Sequence, residues 1–222
     1  MNNEGKVPAL AEEVLQALAQ LGIASEIVLG GYFALQQRMN YRETHDIDAW
    51  WRSRSSQAAE ASISDALECV AQRNKMTLRV RRFGETISWE FLTEAKKVFS
   101  FQISIKSVEL EPPLTSAWPP LKIESPAENI ASKMNALVGR GSPRDFLDIY
   151  ESITRKLFTS SQCWSYWEIK NPGVPLESAK QRVLLHLSAL ELRRPLAQID
   201  SLEERARATE VRCWFKEVFA KR

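Results

Sequence analysis

Three cysteines and two histidines in 222 residues leave little room for soft-ligand metal chemistry or for a disulfide framework. Cys69, Cys163 and Cys213 are odd in number and far apart, so reduced thiols are expected. His45 and His186 are too few for a histidine-rich metal site, and His186 lies in an apolar helical run. No apolar stretch approaches the roughly 18 residues a membrane helix needs. The first residues, MNNEGKVPAL, lack a basic-then-apolar signal pattern, so a cytoplasmic protein with no membrane partner is expected. Charge of one sign is also scarce. The formal net charge is only +2, with the surplus in residues 121–222. That half is compatible with a phosphate-bearing partner, and equally with a solvated helical surface.

What is present is a globular composition, 44% hydrophobic and 26% charged. Residues 9–21 place apolar side chains three and four apart and read as an amphipathic helix. EIVLG (26–30) reads as a buried strand and GGYFALQQRM as the start of a helix. DIDAWW (46–51) is a second strand, and 55–73 a helix capped by Ser55 or Ser56. Strands are expected at 76–83, 85–92 and 98–105. This order of elements predicts an α/β (α+β) fold, a mixed sheet with helices on one face.

LEPPLTSAWPP (110–120) reads as a linker or extended crossover. Beyond it the strand signals stop. Ser125-Pro126-Ala127-Glu128 and Ser142-Pro143-Arg144-Asp145 each have the form of a helix-opening capping box. They predict helices at 126–139 and 143–158. CWSYWEIKNPGVP reads as an aromatic loop, followed by helices at 175–192 and 196–219. The expected organisation is an α/β domain over 1–115 and a helical bundle over 116–222 that completes a cleft.

One stretch, GGYFALQQRMNYRETHDIDAWW, calls for a chemical explanation. Gly30 and Gly31 allow a sharp turn into a helix, whose first N–H groups lack intrahelical partners and suit a phosphate. Asp46 and Asp48 are two apart on a strand and so share a face. Burying paired carboxylates is costly unless they bind a cation. Hard divalent ions such as Mg²⁺ take carboxylate and phosphate oxygens, so turn and aspartates together suggest a metal-assisted nucleotide site. Each part also has a plain reading: a tight turn, solvated strand-end acids, a surface Lys133, a helix-capping Asp145. Trp50, Trp51 and Trp164 read as core residues before they read as base-stacking platforms.

Taken in order, these motifs resemble the nucleotidyltransferase superfamily of DNA polymerase β type. More narrowly, the sequence is similar to the AbiEii/AbiGii abortive-infection toxin family. The resemblance rests on Gly30-Gly31, Ala34-Leu35, Arg38, Arg42, Thr44 and Asp46-Ile47-Asp48. It continues in Lys133 and the block Arg144-Asp145-Phe146-Leu147-Asp148, covering about residues 25–150. It implies a nucleotidyltransferase using Mg²⁺ and a nucleoside triphosphate (NTP), with Asp46 and Asp48 as metal ligands. Gly30 and Gly31 would cradle phosphates, and Arg38 and Arg42 are further phosphate contacts. Lys133 would meet the triphosphate, positioned by Asp145 or else by Asp148. The acceptor would be tRNA, another RNA or a protein, and the chain the toxin of a toxin–antitoxin pair with an antitoxin partner. One departure stands out. The superfamily's third carboxylate, expected on VFSFQISIKSVELE, is replaced by Gln102 and Ser104, with Glu109 or Glu111 only at its end. A catalytically inactive nucleotide- or partner-binding protein, and an antibiotic-type small-molecule nucleotidyltransferase, are the alternatives.

Overall fold

A computed structural model describes residues 8–53, 56–106 and 108–219. The chain divides into two compact units, Met1–Asn129 and Ile130–Arg222. The expected boundary lay at 115/116. It falls later because the proline-rich stretch is part of the sheet rather than a free linker.

The first unit contains helices α1 (Ala9–Ala19), α2 (Gly31–Gln36) and α3 (Gln57–Arg73). Its strands are β1 (Ile27–Leu29), β2 (Asp46–Trp51), β3 (Thr77–Phe83), β4 (Thr86–Thr93), β5 (Lys96–Ile105), β6 (Leu114–Thr115) and β7 (Lys122–Ile123). They form one mixed sheet in the order β3-β4-β5-β2-β1-β7-β6. β2 runs parallel to β5, and β1 parallel to β7; the remaining pairs are antiparallel. The two-residue strands β6 and β7 arise within and just after the expected linker.

Alternation along the strands separates the two faces of the sheet. Ile47, Ala49 and Trp51 of β2, Phe99, Phe101 and Ile103 of β5, and Trp89 and Phe91 of β4 enter a core. Val14, Leu15 and Leu18 of α1 and Ile63, Leu67 and Val70 of α3 are in the same core. Burying such side chains contributes about 1.5–3 kcal/mol each. Ser56 caps α3 by accepting from the Ala59 N–H at 3.1 Å. Asp46, Asp48 and Trp50 are the half-buried alternates of β2 and point to the other face.

The remaining helices are α4 (Pro126–Gly139), α5 (Pro143–Thr154), α6 (Ser160–Lys170), α7 (Leu176–Arg193) and α8 (Leu202–Trp214). α6 corrects the sequence expectation, which placed an aromatic loop there. Thr159 and Gln162 form a capping box, and Cys163, Trp164 and Trp167 bury one face at helical spacing. The many aromatics had masked that period. The helix expected over 196–219 is interrupted: Leu196–Gln198 is a 3₁₀ turn, Ser201 recaps the chain, and Phe215–Phe219 closes as a π turn. The core of the second unit gathers Ile130, Met134, Phe146, Ile149, Trp164 and Phe215, among others.

Candidate active site

The two glycines are required by β2. Gly31 has φ +60°, a left-handed conformation, and a Cβ there would lie 2.1 Å from Oδ2 of Asp48. A Cβ on Gly30 would lie 2.5 Å from Trp50 Nε1 and 2.8 Å from Glu124 Oε2. The Gly30 N–H donates to the Asp48 carbonyl at 2.8 Å. The turn and the Asp-x-Asp strand are therefore one packed unit, with the Asp48 carboxylate against the backbone of Gly31. α2 is only six residues long, and the glycines serve this close approach first.

Asp46 and Asp48 share one face of β2, as the spacing predicts. Strand register places Ser100 beside Asp46 and Gln102 beside Asp48 on β5. Ser100 donates to Asp46 Oδ1 at 2.6 Å, and Lys97 Nζ lies 3.2 Å from the same oxygen. The register continues across β4 and β3. One row reads Asp46, Ser100, Glu90, Arg79; the next reads Asp48, Gln102, Ser88, Arg81. Glu90 is thus a carboxylate on the face of the two aspartates, two strands away from Asp46. It is held by Arg79 at 2.7 Å and Arg81 at 3.5 Å. Sequence reasoning missed Lys97 and Ser100 of the neighbouring strand and Glu90 one strand further, because only register puts them on the face of the aspartates.

Glu109 and Glu111 lie beyond the end of β5. Glu111 accepts the Ser125 hydroxyl at 2.5 Å. Ser125 caps α4 by accepting from the Glu128 N–H at 3.1 Å. The Glu128 side chain pairs with Lys106 and accepts from the Leu110 N–H at 2.6 Å. Lys106 also pairs with the buried Glu124 at 2.7 Å. Asn129, in the first turns of α4, donates to Glu124 at 2.7 Å and to the Gly31 carbonyl at 2.9 Å. Buried polar groups are tolerated when partnered in this way, so this network braces the glycine turn from below.

Arg42 stacks on the Tyr32 ring, 3.6 Å from its centroid, and Tyr32 donates its hydroxyl to the Arg42 carbonyl at 2.9 Å. Arg38 is exposed just past α2. Trp51 and Trp164 are core residues, at 5% and 3% exposure, so neither is a base-stacking platform.

In the second unit, Lys133 is buried and pairs with Asp148 at 2.6 Å. Asp148 is fully buried. Of the two carboxylates expected to position the lysine, it is Asp148 rather than Asp145 that pairs with it. Asp145 instead takes Arg140 in a bidentate pair at 2.9 and 3.0 Å and accepts from the Ser142 N–H at 3.0 Å. The reason is helical geometry: Asp145 occupies the N-terminal turn, where it caps, and Asp148 comes one turn later. Burial alone would raise the Asp145 carboxyl. The hydrogen bonds from Arg140 and Ser142 and the Arg140 charge outweigh it and hold the pKa below the ordinary carboxylate value.

Among the described residues, no group of three or more His, Cys, Asp or Glu side chains converges on a metal position. No helix of the described residues is long and apolar enough to cross a membrane.

The fold and the Asp-x-Asp face define a nucleotidyltransferase-like protein. A candidate nucleotidyltransferase from H. pylori, solved by crystallography, superposes with TM-score 0.51 at 17% identity, over 96% of this chain and 92% of that one. The family model for the nucleotidyl transferase AbiEii toxins of type IV toxin–antitoxin systems matches residues 13–211, and the chain belongs to that family. No curated protein matches the sequence.

Proposed function

We propose that this AbiEii-family chain is a Mg²⁺-dependent nucleotidyltransferase that moves a nucleotidyl group from an NTP to an RNA or protein acceptor, acting as the toxin of its pair. The observation that carries the reading is the shared face of Asp46 and Asp48, packed on the Gly30-Gly31 turn. The donor set fits Mg²⁺, which takes one or two carboxylates and leaves its other positions to water and substrate phosphates. The Lys97 ammonium 3.2 Å from Asp46 Oδ1 is consistent with that carboxylate being ionised and able to take a cation.

In this reading an acceptor hydroxyl attacks the α-phosphorus, a new P–O bond forms, and pyrophosphate leaves. Mg²⁺, when bound, supplies charge neutralisation on the triphosphate. Asp46 and Asp48 would hold it there, with Asp48 fixed by the Gly31 turn. Arg38 and Arg42 are assigned to phosphate contacts, with Arg42 preset by its stacking on Tyr32. Lys133, locked by Asp148, is assigned to the triphosphate charge. Catalysis then rests on positioning and electrostatics, the main contributions in phosphoryl chemistry.

A second reading, a nucleotide- or partner-binding protein without transfer activity, is favoured by one observation. The β5 residues in register with the aspartates are Ser100 and Gln102, where the superfamily expectation is an acid. Incubation with Mg²⁺, each labelled NTP, and total RNA or cell extract separates the two. Label on a macromolecule, lost in Asp46→Asn and Asp48→Asn, supports transfer. Label on small solutes alone points to the antibiotic-type enzyme. NTP binding without any transfer supports the second reading.

A further inference from the structure

A cavity of about 260 Å³ lies between α5, α7 and α8, built entirely from residues of the helical unit. Its apolar wall includes Phe146, Leu147, Leu190, Ile199, Ala208 and Val211. Four arginines, Arg144, Arg194, Arg207 and Arg212, complete the lining, against one carboxylate, Glu204. The imbalance is sharper when partners are followed. Arg212 is 5% exposed, yet its hydrogen bond goes to a neutral group, the Arg194 carbonyl at 2.8 Å. Glu191 is close enough for its charge to stabilise the Arg212 guanidinium, and it is shared with Lys216 at 2.8 Å. Arg207 and Arg155 both pair with Glu151. Arg194 and Glu204 are 3.8 Å apart and both more than half exposed, a weak pair.

A buried guanidinium stays charged and is costly without a counter-charge. The pocket is open to solvent on one side, so its apolar wall faces water, which disfavours it relative to apolar contact. One ligand type answers both. We infer that this cavity is a binding site for a small amphipathic anion, an apolar body of about nine non-hydrogen atoms carrying one carboxylate or phosphate. The size follows from the volume at roughly 30 Å³ per water-sized group. Such a ligand would lay its chain on Phe146, Ile199 and Val211 and direct its charge to Arg194 and Arg212. The geometry follows the general form of small-ligand sites, mostly apolar with a few placed polar groups. It uses none of the residues assigned to nucleotidyl transfer.

Calorimetry on the full chain tests this with four probes of one chain length: octanoate, octyl phosphate, 1-octanol and octylammonium. At least one anion should bind tenfold or more tightly than octanol, and octylammonium should not bind. The two anion arms distinguish a carboxylate from a phosphate ligand. Arg144→Ala/Arg194→Ala, at exposed positions, should weaken the anion fivefold or more and leave octanol unchanged. Ala208→Trp should fill the cavity and abolish binding. If that variant lacks a cooperative melt, Ala208→Leu is read in the same way. No binding at millimolar anion, equal binding of octanol, or anion binding that survives the filled cavity would overturn the site.

Discussion

Lys97 and Asp46 meet across the β2–β5 pair, ammonium to carboxylate at 3.2 Å, with the Ser100 hydroxyl on the same oxygen. The contact is partly exposed, at 41% and 22% of the two side chains, so its net strength is about 0.2–1 kcal/mol. A divalent cation reaching Asp46 must compete with that ammonium. Lys97→Ala should therefore lower the Mg²⁺ concentration for half-maximal NTP binding by about twofold to fivefold. Calorimetry at varied Mg²⁺ reads this. A rise in the Mg²⁺ requirement would instead make Lys97 a direct nucleotide contact.

Asp46→Asn and Asp48→Asn should each remove the Mg²⁺ dependence of NTP binding and any transfer activity. Without the cation, each close pair of like charges costs roughly 1 kcal/mol even in water. Wild type should therefore bind NTP far more tightly with Mg²⁺ than without. The melting temperature should fall only slightly in Asp46→Asn, by the small strength of its Lys97 contact, and hold or rise in Asp48→Asn, since both side chains face away from the core. Equal NTP binding with and without Mg²⁺ in all three proteins would remove the metal site from the proposal.

Gly31→Ala should be destabilising and should also disable the site. The residue would be forced into a left-handed conformation, at a cost of about 1–2 kcal/mol. Its Cβ would also displace the Asp48 carboxylate. Gly84→Ala is the control, because that glycine also has positive φ but has nothing within 4 Å of the added carbon. Thermal melts should show a smaller loss for Gly84→Ala, and only Gly31→Ala should lose Mg²⁺-dependent NTP binding.

The Lys133–Asp148 pair separates structure from chemistry. Removing one partner of a buried ion pair costs about 3–5 kcal/mol, whereas an apolar replacement of both is often near neutral. Lys133→Met and Asp148→Leu should each destabilise strongly, and the double variant should recover most of the melting temperature. If Lys133 acts on the triphosphate, the recovered double variant stays inactive. Restored transfer activity would make the pair purely structural.

Acid should weaken the second unit through Asp145. Its folded pKa is depressed, so its contribution is fully present above the unfolded carboxyl pKa of about 3.9 and fades as pH falls through the lower folded value. Urea melts from pH 6 down to pH 3 should show a shallower acid loss in Asp145→Asn than in wild type. Parallel curves would show that other carboxylates dominate.

Thiol labelling checks α6. Cys69 and Cys213 are exposed, while burial pushes the Cys163 thiol up to about 12. Iodoacetamide at pH 8 should modify Cys69 and Cys213 in the native protein and reach Cys163 only on unfolding. Rapid native labelling of Cys163 would contradict the packed helix.

By itself, the sequence determined the local elements and the chemical types at the site. Alternation put Asp46 and Asp48 on one strand face, the Gly-Gly pair marked the turn, and the Ser-Pro openings marked α4 and α5. These are short-range patterns, written into side-chain period and capping chemistry. The tertiary structure decided what depends on register and packing. It set Ser100 and Lys97 beside Asp46 and Glu90 on the same sheet face two strands away, gave Lys133 to Asp148 rather than Asp145, and drew Leu114 and Thr115 of the proline-rich stretch into the sheet. It also turned an aromatic run into α6. A pairing between strands depends on which residue falls opposite which. A partner across two helices depends on the turn each side chain occupies, and neither follows from spacing along one chain.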